Sequence, residues 1–297
     1  MNVVLPAPPE HPSSLVYFGS PQAAVPALLA LVEAGFNVPL VVSMPDRRRG
    51  RRAAPSPTPV KKMALDLDIP VSDQVSDALS AEVDCGVVVA YGQLIAHEVL
   101  LKLPMINVHF SLLPRWRGAA PVEHAILAGD QTTGVCIMGL EPELDTGPVY
   151  RRREIPIKSE ATVSELTEEL AVLGAKELVA AIQQGLRDPV PQEGAVTVAT
   201  KIYRSDRELD WELPAAQLSR IVRAGGAWTT NSSSSLKVHR VAVVEGNSEP
   251  GKLVNGLVGT GKDLLQLLVV QPEGKPALDA ADWINGARLG DETRLGT

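Results

Sequence analysis

The hydrophobic pattern changes period repeatedly along this chain. "SLVYFGS", starting at Ser14, is a continuous apolar run closing in a Gly-Ser turn and reads as a buried strand. "PQAAVPALLALVEAGF" follows with helical spacing and is stopped by Gly35. "NVPLVVSM" is a short β-branched run suited to a parallel strand covered on both faces. Strand, helix and strand at this spacing predict a βαβ unit. A proline-rich loop from Met44 to Pro59 and a helix from Val60 to about Asp68 come next. "DCGVVVAYG", "MINVHF" and "TGVCIMGL" then read as strands, alternating with helices over "QLIAHEVLLKL" and "PVEHAILAGD". A long amphipathic helix with Val163, Leu166 and Leu170 on one side closes the series. This alternation predicts an α/β fold, a Rossmann-like, doubly wound and mostly parallel sheet.

Beyond Tyr203 the rhythm shortens. "LKVHRVAVVE", "GKLVN" and "LLQLLVVQ" are β-like runs punctuated by Gly, Asn and Ser, with helices at "AAQLSRIVRA" and "ALDAADWING". That pattern predicts a smaller, mainly β, barrel-like (OB-like) domain. The expected organisation is a leader over 1–14, an α/β domain over 15–188, a linker over 189–203 and a β domain over 204–297.

Composition narrows the function. Aromatic residues make up 4% of the chain, too few for a stacking surface for single-stranded nucleic acid. The net charge of −7 gives no general reason to bind a polyanion, but it is unevenly spread. Seven basic residues and one acid lie between Asp46 and Lys62, among them Arg47, Arg48, Arg49, Arg51, Arg52, Lys61 and Lys62. Cys85 and Cys136 both sit in apolar runs and read as buried small hydrophobes in a reducing compartment, without the ligand cluster of a metal site. No apolar segment reaches the roughly 18 residues of a membrane span. The proline-interrupted start lacks the form of a secretory signal, so the expectation is a cytoplasmic protein.

The chemistry concentrates in "MINVHFSLLPRWRGAAP". Residues two apart on a strand share a face, so Asn107 and His109 can point together into a crevice at the strand's carboxyl end. A proline-bearing loop follows, whose backbone can clamp a flat ligand. In "LEPELDTGPVY", Gly147 permits an unusual backbone angle and Asp145 can be delivered to the same crevice. An amide can donate to a developing oxyanion, an imidazole can take a proton near neutral pH, and a carboxylate can orient that imidazole. No serine or cysteine nucleophile paired with a base is evident. Direct acyl transfer to an amine fits the three groups.

These motifs resemble a known family. "NVHFSLLPRWRGAAP" with "LDTGPV" is similar to the 10-formyltetrahydrofolate-dependent formyltransferases. The resemblance assigns catalysis to Asn107, His109 and Asp145. It assigns folate binding to Ser111, Leu112, Leu113 and Pro114, with Tyr91 and Gly92 of "VVVAYG" flanking that site. "FGSPQAAVPALLALVEAG", "MPDRRRGRRAAPSPTPVKKMA" and "ELDWELPAAQLSRIVRA" are similar to the branch that formylates methionyl-tRNA. The implied partners are a 10-formyltetrahydrofolate co-substrate, with no metal, and initiator methionyl-tRNA, held by the basic loop and the C-terminal domain of a monomer. The runner-up is a folate-dependent enzyme acting on an amino-sugar nucleotide, and after it a non-catalytic tRNA-binding homologue.

Other polar residues carry ordinary expectations. His124 is read as packing or capping, and His11, His97 and His239 have no partner cluster in the sequence. Trp116 flanks the folate or fills space; Arg115 and Arg117 meet a substrate anion or pair at the surface.

Overall fold

A computed structural model describes residues 5–48, 54–290 and 292–297. The chain divides into two compact units. The first is Met1–Pro121 with Thr132–Pro156 and Thr167–Ala199, and the second is Val122–Gln131 with Ile157–Leu166 and Thr200–Thr297.

The first unit opens with β1 (Ser14–Gly19), α1 (Val25–Glu33) and β2 (Asn37–Val42). A small hairpin of β3 (Arg47–Arg48) and β4 (Pro55–Ser56) leads to α2 (Pro59–Asp66), β5 (Val71–Ser72) and β6 (Cys85–Val89). Then come α3 (His97–Leu100), β7 (Met105–His109), β8 (Arg117–Gly118) and α4 (Pro121–Ala128), which from Val122 onward belongs to the second unit. The series ends with β9 (Thr132–Gly139), β10 (Val149–Pro156), α5 (Val163–Gln184) and β11 (Val198–Ala199). Seven strands form one sheet in the order β10-β9-β7-β6-β1-β2-β5. β9 is antiparallel to both of its neighbours, β7 and β10, and the other pairings are parallel.

Local chemistry explains these elements. Leu15, Val16, Tyr17 and Phe18 are all fully buried, as expected for a strand covered on both faces. Gly35, with φ +85°, ends α1 in the left-handed conformation. Thr58 caps α2 by accepting from the Lys61 N–H at 3.0 Å, with Pro59 in the first turn. Thr162 and Glu165 form a capping box at the start of α5, each side chain accepting from the other's backbone N–H. Both cysteines are free and buried, and burial pushes the Cys85 thiol up to about 12.

Helix α3 and strand β10 differ most from the sequence expectation. The helix expected over "QLIAHEVLLKL" is only His97–Leu100. Ala96 offers no side-chain cap and Pro104 limits extension at the other end, so a costly nucleus is never recovered by propagation. β10 was not foreseen: "VYRRREIP" has no alternation of apolar and polar residues, and it is an edge strand whose arginines are suited to solvent.

The second unit contains α6 (Ala215–Arg223), β12 (Trp228–Asn231), β13 (Ser234–Val244), β14 (Leu253–Val254), β15 (Leu257–Gly259), β16 (Leu264–Pro272), β17 (Leu278–Asp279) and α7 (Ala280–Ala287). Its sheet is antiparallel, in the order β12-β13-β16-β15-β14, with β17 paired to β16. Leu218, Ile221 and Val222 of α6 and Trp283 of α7 share a buried core with Leu236, Val238, Leu265 and Leu267 of the strands. No helix among the described residues is long and apolar enough to cross a membrane.

Candidate active site

β7 supplies the first two groups. Asn107 pairs with Val88 of β6 across the sheet and His109 ends the strand. His109 is 5% exposed, while the Asn107 amide is partly open and makes no hydrogen bond to the described residues. The His109 Nε2 lies 2.8 Å from the Trp116 carbonyl oxygen. A carbonyl only accepts, so the imidazole carries a proton on Nε2 and the neutral ring keeps its lone pair on Nδ1.

Asp145 faces that lone pair, with Oδ2 3.6 Å from Nδ1. At 3.6 Å the two are in electrostatic contact but not hydrogen-bonded. A proton taken up at Nδ1 would be held by an adjacent carboxylate. Oδ2 also accepts from the Gly118 N–H at 2.8 Å. His109 and Asp145 are thereby brought together within the first unit, and Asn107 lies two residues before His109 on the same strand.

The route by which Asp145 arrives differs from the simple expectation. β9 is antiparallel to β7, with Gly139 opposite Ile106, so the connection leaves from the amino end of β7. It closes on itself through the Gly139 N–H bonded to the Pro148 carbonyl at 2.9 Å, and Asp145 takes a left-handed φ of +52°. The unusual angle expected at Gly147 therefore belongs to Asp145, a residue type that tolerates it. Gly147 is needed for a different reason: a β-carbon there would lie 1.9 Å from the Gly139 carbonyl oxygen.

The loop after β7 is tightly folded. Ser111 and Leu113 are fully buried and Pro114 is buried, so the Ser111 hydroxyl turns inward to the Arg115 carbonyl at 2.6 Å. What these residues present to a ligand is backbone, and Leu112 is partly exposed. Leu113 packs with Cys136, Met138 and Val149, and its carbonyl accepts from the Arg152 guanidinium. Trp116 has φ +63° and lies under the Arg115 guanidinium, 4.3 Å from the ring centre. Tyr91 and Gly92 follow β6, the neighbour of β7; the Tyr91 ring is buried against Phe18 and its hydroxyl has no hydrogen-bond partner among the described residues. Burial raises the Tyr91 pKa, with a smaller contribution from Asp73.

Of the basic loop, Arg47 and Arg48 are exposed on β3, Lys61 is paired with Asp46 at 2.7 Å and Lys62 is exposed. Arg49, Arg51 and Arg52 lie outside the described residues. His124 Nε2 lies 3.0 Å from the Thr200 carbonyl. No cluster of metal-ligating side chains occurs among the described residues. A cavity of about 340 Å³ lies along β10 beside Tyr150, Arg152 and Glu193, and none of the three site groups lines it.

Sequence reasoning missed Gly118, Gln192 and Thr197. The Gln192 Nε2 donates to the Asp145 and Gly147 carbonyls, both at 2.8 Å, and the Thr197 hydroxyl accepts from the Trp116 N–H at 2.8 Å. No periodicity marks these residues, because each has its partner tens of positions away in the chain.

The comparisons with known proteins agree with this architecture. Residues 14–182 match the formyl transferase family and residues 201–288 match the formyl transferase C-terminal domain. Methionyl-tRNA formyltransferase of Jannaschia sp. is 42% identical over 299 residues, 95% of this chain and 99% of its own length. Its counterpart from Roseobacter denitrificans is 40% identical, over 94% of this chain and 97% of its own. This chain belongs to the methionyl-tRNA formyltransferase family. Membership makes it an enzyme, a one-carbon transferase of a folate-using family, and weighs against the amino-sugar reading. Among solved structures, HypX from Aquifex aeolicus in complex with tetrahydrofolic acid shares the fold, with a TM-score of 0.66 and 18% identity over 94% of this chain and 48% of that one.

Proposed function

We propose that Asn107, His109 and Asp145 transfer the formyl group of 10-formyltetrahydrofolate to the α-amino group of methionine on initiator tRNA. The observation that carries this is the His109 imidazole held between the Trp116 carbonyl and the Asp145 carboxylate, on the strand that also presents a free Asn107 amide. An α-amino group has a reference pKa near 8 and only its neutral form attacks. The amine nitrogen bonds to the formyl carbon, and the proton it sheds goes to the Nδ1 of His109 beside Asp145. Asn107 donates to the oxyanion of the tetrahedral intermediate. The bond from carbon to N10 then breaks and N10 receives the proton, which leaves tetrahydrofolate and formylmethionyl-tRNA.

The folate is bound against the backbone of Ser111, Leu112, Leu113 and Pro114 and beside Tyr91 and Gly92. The partnerless Tyr91 hydroxyl and the clamped backbone of the loop support that placement. Arg47, Arg48, Arg49, Arg51, Arg52, Lys61 and Lys62 contact tRNA phosphates, and the C-terminal domain, 204–297, contributes a second RNA surface. The enzyme acts as a monomer in the cytoplasm.

The test is formylation of charged initiator and elongator tRNA with the folate donor, and of an amino-sugar nucleotide in parallel. Asn107→Ala should lower turnover at saturating substrates by at least tenfold with the fold retained, since one oxyanion donor is worth on the order of 3 kcal/mol of barrier. Unchanged turnover would remove the oxyanion role from Asn107. Formylation of the sugar nucleotide alone would overturn the substrate.

A further inference from the structure

Asp145 sits in a loop without helix or strand of its own, in a left-handed conformation, yet its carboxylate must stay beside His109. Gln192, in the stretch the sequence reads as a linker, meets this loop. We infer that Gln192 is a positioning residue for formyl transfer: its amide fixes the backbone of the Asp145 loop and so sets the carboxylate against the imidazole. This rests on the reading that Asp145 serves His109.

The side chain makes three of its four possible hydrogen bonds. Its two N–H groups go to the carbonyls on either side of Thr146, those of Asp145 and Gly147, both at 2.8 Å. Its oxygen accepts from the Arg117 Nε at 2.9 Å. Carbonyls only accept and a guanidinium only donates, so the amide has a single satisfactory orientation. Arg117 precedes Gly118, whose N–H holds the Asp145 carboxylate. Asp145 is therefore gripped twice, through its backbone by Gln192 and through its carboxylate by Gly118, and the two grips are joined through Arg117.

The segment carrying Gln192 is itself anchored. The Arg117 N–H donates to the Thr197 carbonyl at 3.0 Å and the Ala119 N–H to the Ala199 carbonyl at 2.8 Å, as β8 pairs with β11. A β-carbon on Gly118 would stand 2.6 Å from the Ala199 carbonyl oxygen, so this approach is close as well as bonded. Gln192 contributes nothing to the apolar core. Its bonds serve only the two loops that define the site.

The two halves of the amide can be tested apart. Gln192→Ala removes donors and acceptor. Gln192→Glu keeps the acceptor for Arg117, now as an ion pair, but sets a carboxylate against two carbonyls. In the full-length enzyme both variants should lower kcat for formylation at least tenfold, with KM for the folate and for methionyl-tRNA within about threefold of wild type and a native circular dichroism spectrum. If Gln192→Ala fails to fold, Gln192→Met retains the volume without the donors and carries the same expectation. Wild-type kcat for Gln192→Glu would mean that the residue serves only Arg117, and would overturn the inference. So would an effect confined to KM. Asp145→Asn in the same assay separates this from the underlying reading. If it is inactive while the Gln192 variants turn over normally, only the positioning role falls. If it is fully active, the role of Asp145 falls first.

Discussion

At Gly147 the chain passes so close to the Gly139 carbonyl that a methyl group has no place, with the β-carbon 1.9 Å from that oxygen. Backbone, unlike the end of a long side chain, cannot swing aside. Gly147→Ala must therefore displace the loop two residues from Asp145. Formylation kinetics should show kcat at least tenfold lower, while circular dichroism shows the sheet intact. A fully active variant would mean that the loop can move without disturbing His109. At this scale the site was partly legible. Asn107 and His109 are two apart on an obvious strand, and period-two geometry puts them together. Asp145 was singled out by its loop chemistry and by family resemblance. Gly118 and Gln192 were not legible, because a backbone N–H and a side chain that binds carbonyls leave no residue-type signature.

The elements carry their own liabilities. β12 and β13 are joined by Ser232 and Ser233, both with positive φ, +49° and +67°. A two-residue hairpin turn of this kind prefers Asn-Gly, and serine pays a steric cost in the left-handed region. Replacing Ser232 with Asn and Ser233 with Gly should stabilise the protein by about 1 kcal/mol, read as a higher urea midpoint with unchanged m. A lower midpoint would show that these hydroxyls have a structural role. The hairpin of β3 and β4 has a different purpose. Arg47 and Arg48 are exposed at its start, so they carry positive charge without burying it, and Arg49, Arg51 and Arg52 follow in the sequence. Changing these five arginines to Ser should raise KM for methionyl-tRNA much more than KM for the folate and flatten the dependence of tRNA use on salt. Equal losses for both substrates would indicate damage to the fold. Strong apolar runs such as β1 and β6 were read correctly from their pattern, whereas α3 and β10 were not. α3 lacks a cap and is too short to be sustained by propensity. β10 is held by pairing with β9 along its whole length, from Val149 opposite Met138 to Pro156 opposite Thr132, a tertiary interaction that overrides its charged composition.

For the whole molecule, alternating strands and helices announced a doubly wound sheet, but not that β9 runs against both of its neighbours. That reversal brings the Asp145 connection from the far end of β7, and strand direction cannot be read from periodicity. The same sheet also sets how the protein responds to alkali. Cys85 begins β6, next to β1 in the interior of the sheet, and is fully buried. Burial pushes its thiol up to about 12 in the fold, against roughly 8.5 for a free thiol. The folded thiol thus stays protonated while the unfolded one ionises. Its contribution to stability is intact below about pH 8.5 and drains away as pH rises toward 12, by about 1.4 kcal/mol per pH unit. Tyr17 and Cys136, also raised by burial, act in the same direction. Cys85→Ser removes this titration while keeping a small side chain. Urea unfolding under reducing conditions at pH 7 should find the variant equal to or less stable than wild type. Between pH 9 and 10.5 the difference should move in favour of the variant by on the order of 2 kcal/mol. A difference that stays constant across that range would mean that the thiol ionises equally in both states, and that water reaches the centre of the sheet.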